Sequence, residues 1–243
     1  MRPVFIASVG NPGSTYAHTL HSAGHTLLAA LASYANFPSL TISKQLTGTK
    51  GRFSHSDASG VAFWESPNYM NDSGPDLATA WRKWSSGRRA AVTDAGDMLE
   101  PRLIILHDEL ELPCGKISIK TSSGGSARGH NGLKSFLGMP NMKQLEFTRV
   151  GVGIGPRPLS REPDQVAKYV LKKMTGEQRA KIEGLAGEVW AAVERIRIGE
   201  EAGGGKAKAP KVKKERKERE RGASQQPRER VVEGLEHVRS HSV

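Results

Sequence analysis

Leu103-Ile104-Ile105-Leu106 is the stretch that most narrows the fold. Four apolar residues in a row leave no wet face, so as a strand they need cover on both sides. That calls for helices on both faces of a sheet, an α/β architecture. The run ends in His107-Asp108-Glu109. Polar groups therefore stand at the carboxyl end of a central strand, where open α/β sheets place their ligands.

A second stretch, FIASVGNPGSTYAHTLHSAG (Phe5 to Gly24), has the same form. A strand over about 3–9 runs into Asn11-Pro12-Gly13. Proline fixes φ there, glycine allows φ > 0 and asparagine tolerates either, so this is a turn. His21 then stands at the mouth of a helix at about 22–35, with Leu27, Leu28 and Leu31 at helical spacing and Ser22 as the N-cap candidate. On this stretch His21 reads either as the reactive group or as an ordinary surface histidine beside a helix start.

The remaining elements follow from pattern. Val61 to Trp64 is the clearest strand between 40 and 65. A polar turn at 66–74 precedes a helix near 75–85 carrying Leu77, Trp81 and Trp84. Residues 85–101 lack periodicity and read as an inserted loop. Lys116 to Lys120 alternates, as a strand with one wet face does. Ser122 to Gly129 reads as a loop, His130-Asn131-Gly132 opens a short helix through Phe136, and a strand covers about 145–154. Two helices close the domain, the second behind a Thr175…Gln178 capping box with Ile182, Leu185, Val189, Val193 and Ile196 on one stripe.

From Gly203 the chain turns highly charged and poor in apolar residues, as solvated segments are. The expected organisation is one α/β domain over 1–200, with a twisted mixed sheet flanked by helices, and a disordered basic tail over 201–243. The tail does not account for all the basicity. The net charge is +11, and residues 201–243 hold twelve Lys/Arg against seven Glu, leaving about +6 on the body. Such a body favours polyanionic partners. The single cysteine, Cys114, excludes an intrachain disulfide and suits a reducing compartment. No apolar run reaches the ~18 residues of a membrane span, and the first strand starts too near Met1 for a cleavable targeting peptide.

Ester hydrolysis needs a base for water, a group that orients the base, and donors for the oxyanion. His21 can serve as the base and Asp108 as the orienting carboxylate, while asparagines supply neutral donors and acceptors. No G-x-S-x-G elbow supports a serine nucleophile. His21, Asp108 and His130 could also hold a metal, though nothing in their spacing requires one. The 122–129 loop matches neither a Walker pattern nor a dinucleotide fingerprint. Strand alternation turns His107 away from Asp108, toward a structural role.

Five blocks in order carry a resemblance: VGNPGSTYAHTLHSAG (9–24), NYMNDSG (68–74), HDELELPCG (107–115), GHNGLKS (129–135) and RVGVGIGPRP (149–158). Over about 1–200 the chain resembles the bacterial-type peptidyl-tRNA hydrolases, with an insertion and tail that suggest a eukaryotic, fungal-like member. The resemblance implies cleavage of the ester between a nascent peptide and tRNA, by a monomer without metal, cofactor, membrane or obligate protein partner, in cytoplasm or mitochondrion. Residue by residue, it implies that His21 is the general base and Asp108 its carboxylate, and that Asn11 senses the blocked α-amino group. Asn71 and Asn131 would hold the peptide end, Tyr16 and Tyr69 would line the groove, and Lys120 and Lys134 would meet phosphates. The chain departs from the family pattern at Leu20, Ser22, Pro67 and Asn68, in a longer loop carrying Arg128, and at Gly151, a place the family usually gives to a phosphate-clamping base. Two rivals remain at this level: a catalytically inert RNA-binding protein on the same scaffold, and a generic small-ester hydrolase.

Overall fold

In the computed structural model the described residues are 1–88, 91–92, 96, 98–123, 127, 129–159 and 162–200. Strands β1 (Val4–Ser8), β2 (Thr41–Ile42), β3 (Arg52–Ser56) and β4 (Val61–Glu65) alternate with helices α1 (Ala23–Tyr34) and α2 (Lys44–Thr47). Then come α3 (Ser73–Ser86), a small ribbon of β5 (Ala91–Val92) and β6 (Met98–Leu99), β7 (Arg102–Pro113), β8 (Ile117–Ser123), α4 (Asn131–Leu137) and β9 (Glu146–Gly155). Helices α5 (Pro163–Val170), α6 (Gly176–Glu183) and α7 (Ala186–Arg197) complete the described chain. Seven strands form one mixed sheet in the order β2-β3-β4-β1-β7-β9-β8. β4, β1, β7 and β9 run parallel; β2, β3 and β8 are antiparallel to their neighbours.

The central strands are buried on both faces, as the apolar run requires. Ile104 and Leu106 join Val4, Ile6, Leu27, Leu28, Leu31 and Val193 in one core under α1 and α7. Leu103 and Ile105 join Phe5, Trp64, Leu77, Trp81, Trp84, Leu133 and Phe136 in the other, under α3 and α4. No helix among the described residues is long and apolar enough to cross a membrane.

Several expectations change. β7 does not stop after Leu106 but runs to Pro113, because β9, its parallel partner from Leu103, stays paired with it beyond the end of β1. The expected last helix is two: Gly184 closes α6, and α7 starts after Leu185. Glycine's low helix propensity marks the break. The Thr175–Gln178 capping box is present. Of the expected 85–101 loop, Ser85 and Ser86 close α3 and part of the rest is the β5-β6 ribbon, while Ser122 and Ser123 of the expected 122–129 loop extend β8; residues 89–90, 93–95, 97 and 124–126, Arg128 and the 201–243 tail lie outside the described residues.

Candidate functional site

β1 and β7 lie side by side in parallel, with Ser8 opposite Leu106. β1 ends there, while β7 carries His107 and Asp108 two residues further. The chain leaving β1 turns at Gly13 (φ +85°), where a side chain would be strained, and the backbone N–H groups of Tyr16 and Ala17 donate back to the Gly13 carbonyl. It returns as a 3-10 turn, Leu20–Ser22, bearing His21. The segment after α5 straps this turn down: Leu20 N–H donates to the Lys172 carbonyl and Met174 N–H to the His18 carbonyl. Gly24 lets α1 approach β7, since a Cβ there would stand 2.8 Å from the Leu106 carbonyl oxygen. That approach brings His21 onto Asp108.

His21 Nδ1 lies 2.9 Å from Asp108 Oδ1. His130 Nε2 lies 3.0 Å from the same oxygen. The tautomers follow from the neighbours. The carboxylate only accepts, so Nδ1 of His21 carries the proton and its Nε2 is left as a base. His130 Nδ1 accepts the Leu133 backbone N–H at 3.3 Å, as N-cap of α4, so its Nε2 carries the proton. His107 packs edge-on against His130, with centroids 4.9 Å apart, and its Nδ1 donates to the Asp108 carbonyl at 2.8 Å.

Electrostatics follow from burial and charge. Burial by itself would lower the basicity of His21; the charge and hydrogen bond of Asp108 outweigh it and raise the pKa above the ordinary histidine value. Burial would raise Asp108, but its two imidazole partners hold it well below the usual carboxylate range. His107 is pushed down to about 3, first by burial and then by His130, so it is neutral. The candidate ligand atoms of His21, Asp108 and His130 lie within 4.8 Å of one another, close enough for a metal, but here they are spent on hydrogen bonds between themselves.

The cleft over these residues has a volume of about 550 Å³. Asn11, His21, Asn71, Asp108, Lys120 and Asn131 all line it, gathered from five separate segments. Asn11 is held from two sides. Its carbonyl accepts from Ser22 Oγ at 3.2 Å, and its Oδ1 accepts the Met70 N–H at 2.9 Å. Ser22 therefore makes no side-chain cap for α1; its hydroxyl serves the Asn11 loop instead. Tyr16 and Tyr69 pack edge-to-face, centroids 5.7 Å apart, outside the lining of this cleft. Lys134 is exposed on α4, also outside it. Sequence reasoning gave His130 no role beyond that of a candidate metal ligand. It also overlooked the apolar wall that Pro163, Val166 and Val170 of α5 lend the cleft; the proline-led amphipathic stretch 163–170 was its signal.

Lys120 stands opposite Arg149 in the β8-β9 register, and Ser118 opposite Gly151. A Cβ at Gly151 would lie 3.1 Å from Glu109 Cβ and 3.3 Å from its Oε2. A larger cavity of about 910 Å³ opens on the other side of Asn11. It holds His25, bonded to Ser8 Oγ at 2.7 Å, but no hydrogen-bonded imidazole–carboxylate pair among the described residues; the His21–Asp108 pair stands in the smaller cleft.

The family model described as peptidyl-tRNA hydrolase matches residues 5–217. A peptidyl-tRNA hydrolase of Clostridium acetobutylicum is 32% identical over 78% of this chain and 88% of its own length. A probable peptidyl-tRNA hydrolase of Schizosaccharomyces pombe is 34% identical over 73% of this chain and 75% of its own. The crystal structure of an Arg119Gln mutant of the Acinetobacter baumannii peptidyl-tRNA hydrolase superposes with a TM-score of 0.61, at 28% identity, over 81% of this chain and 89% of that one.

Proposed function

Because the chain belongs to the peptidyl-tRNA hydrolase family and is a hydrolase of peptidyl-tRNA, we propose that His21 is the general base of that reaction. The observation that carries this reading is the Asp108-held imidazole with its Nε2 left unprotonated in the cleft. Water loses a proton to His21 Nε2 and attacks the ester carbonyl. The imidazolium that forms is stabilised by Asp108, and it returns the proton to the departing ribose oxygen. Asn71 and Asn131 line the same cleft and supply amide N–H groups for the oxyanion or the peptide.

Asn11 has its Oδ1 engaged by Met70 N–H, which leaves its Nδ2 hydrogens for the substrate. A donor there suits the carbonyl of an acylated amine. A free α-ammonium, itself a triple donor, would leave Asn11 unpaired, and this accounts for sparing ordinary aminoacyl-tRNA. Lys120 carries the cationic side of the cleft beside Arg149 and takes the nearest phosphate. Tyr16 and Tyr69 form an aromatic patch for the more distant part of the substrate, and Lys134 meets RNA outside the cleft. The protein acts as a monomer, the domain ends near 200, and the basic tail adds non-specific RNA affinity. The single cysteine suits either reducing compartment that carries out translation, cytosol or mitochondrion.

The test is hydrolysis of an N-blocked aminoacyl-tRNA beside the unblocked form, with a His21→Ala variant. Release from the blocked substrate alone, reduced roughly 10²–10⁴-fold in the variant, is expected of a general base. Undiminished release by His21→Ala would refute the assignment.

A further inference from the structure

The steps above make no use of His130, although it is fixed at both ring nitrogens. Nδ1 accepts the Leu133 N–H as the cap of α4, and Nε2–H donates to the Asp108 oxygen that His21 also uses. One carboxylate oxygen therefore receives two imidazole N–H groups, at 2.9 and 3.0 Å. We propose that His130 is a positioning residue: its helix cap locks the tautomer that donates to Asp108, and this donation fixes the carboxylate and limits how strongly it draws a proton onto His21. The proposal rests on the reading of His21 as the base.

The effect is electrostatic. A hydrogen bond to an anion disperses its charge. Take the His130 donor away and Asp108 Oδ1 belongs to His21 alone, so the imidazolium of His21 is favoured more and the free base appears only at higher pH. The groups around the two rings leave few other sources for such a change. From β7 they are His107 and Asp108; from the 3-10 turn and α1, His21 and His25; from β9, Arg149 behind His107. Glu109, Lys120 and the Glu111–Arg157 ion pair line the open cleft. Burial pushes His107 down to about 3, so it stays neutral where the enzyme would be assayed, and burial lowers His25 as well.

The cap and the donor can be separated by substitution. In His130→Asn the side-chain oxygen falls where Nδ1 stands and keeps the cap, but the amide ends short of Asp108. In His130→Gln the amide nitrogen reaches the place of Nε2 and keeps the donor, at the expense of the cap. The measurement is kcat/KM for N-blocked aminoacyl-tRNA across pH, with thermal melting of each variant and His21→Ala as control. We expect the acid limb of His130→Asn to move up by roughly half to one pH unit, a part of the worth of one charge-assisted hydrogen bond, and its melting temperature to fall because buried Asp108 loses a donor. His130→Gln should keep the wild-type limb while melting lower. A wild-type limb in His130→Asn, or equal displacement in both variants, would overturn the proposal in favour of a purely structural cap. Activity surviving in His21→Ala would instead remove the premise, whatever the His130 variants do.

Discussion

Replacing Asp108 with asparagine removes one negative charge from between two imidazoles and leaves the side-chain shape almost unchanged. Asp108 is 5% exposed, and both of its imidazole contacts are made through Oδ1. In the transition state His21 carries the proton, so the loss is the attraction between imidazolium and carboxylate. Unit charges about 4 Å apart at an effective dielectric near 20 attract by about 4 kcal/mol. At about 1.4 kcal/mol per tenfold, kcat/KM should fall roughly 10³-fold. The pH profile moves as well. The raised basicity of His21 depends on Asp108 working against burial; without the charge, burial prevails and the acid limb shifts to lower pH. Stability should fall with activity. Folding holds Asp108 well below the usual carboxylate range, so its anion stabilises the fold at neutral pH, and the asparagine form, which lacks that anion, should melt below the wild-type temperature. Steady-state hydrolysis of N-blocked aminoacyl-tRNA from mildly acidic to mildly alkaline pH, with calorimetry on the same samples, tests all three. A limb that stays put or moves upward, or a loss below about tenfold, would refute the reasoning.

Three further outcomes are expected. Gly74→Ala places a Cβ 2.3 Å from the Ser135 backbone, so α3 must withdraw from α4; melting should show a cost of about 1–3 kcal/mol, and KM should rise because Asn71 and Asn131 sit at the starts of these helices. Lys120→Ala should lower the slope of log affinity for tRNA against log salt by about 0.7–0.9 if Lys120 meets one phosphate. Acid should weaken the fold well above the carboxylate range. His107 binds its proton near 6.5 when unfolded but only at about 3 when folded, so the unfolded chain protonates first, and stability should fall as pH drops from about 6.5 toward 3 by up to about 1.4 kcal/mol per unit. His25 acts in the same sense. His21, raised on folding, opposes them: its contribution is present below about 6.5 and is lost as pH rises through its folded value. Asp108, lowered on folding, contributes above about 4 and loses that contribution below it. Urea midpoints measured across this range test the balance, and a midpoint that rises on acidification from 6.5 to 4 would contradict it.

Some of this protein was determined by the sequence alone, because the signals are local. The run 103–106 required a strand covered on both faces. The Asn11-Pro12-Gly13 turn required a corner before α1, and Thr175 with Gln178 required a helix start. The ordered blocks around His21, Asp108 and Asn131 pointed to one family. What the sequence could not carry was distance. Nothing in the spacing of His21, Asp108 and His130 says that two imidazoles share one carboxylate oxygen. That depends on β7 outrunning β1, on α1 approaching the Leu106 carbonyl at Gly24, and on α4 starting with its cap turned toward β7. Ser22 likewise read as a local cap, but the fold brought the Asn11 loop within reach of its hydroxyl and that bond prevailed. Turns, caps and apolar runs act over a few residues of chain and are legible there, whereas the two imidazoles donating to Asp108 Oδ1 meet only where separate elements pack.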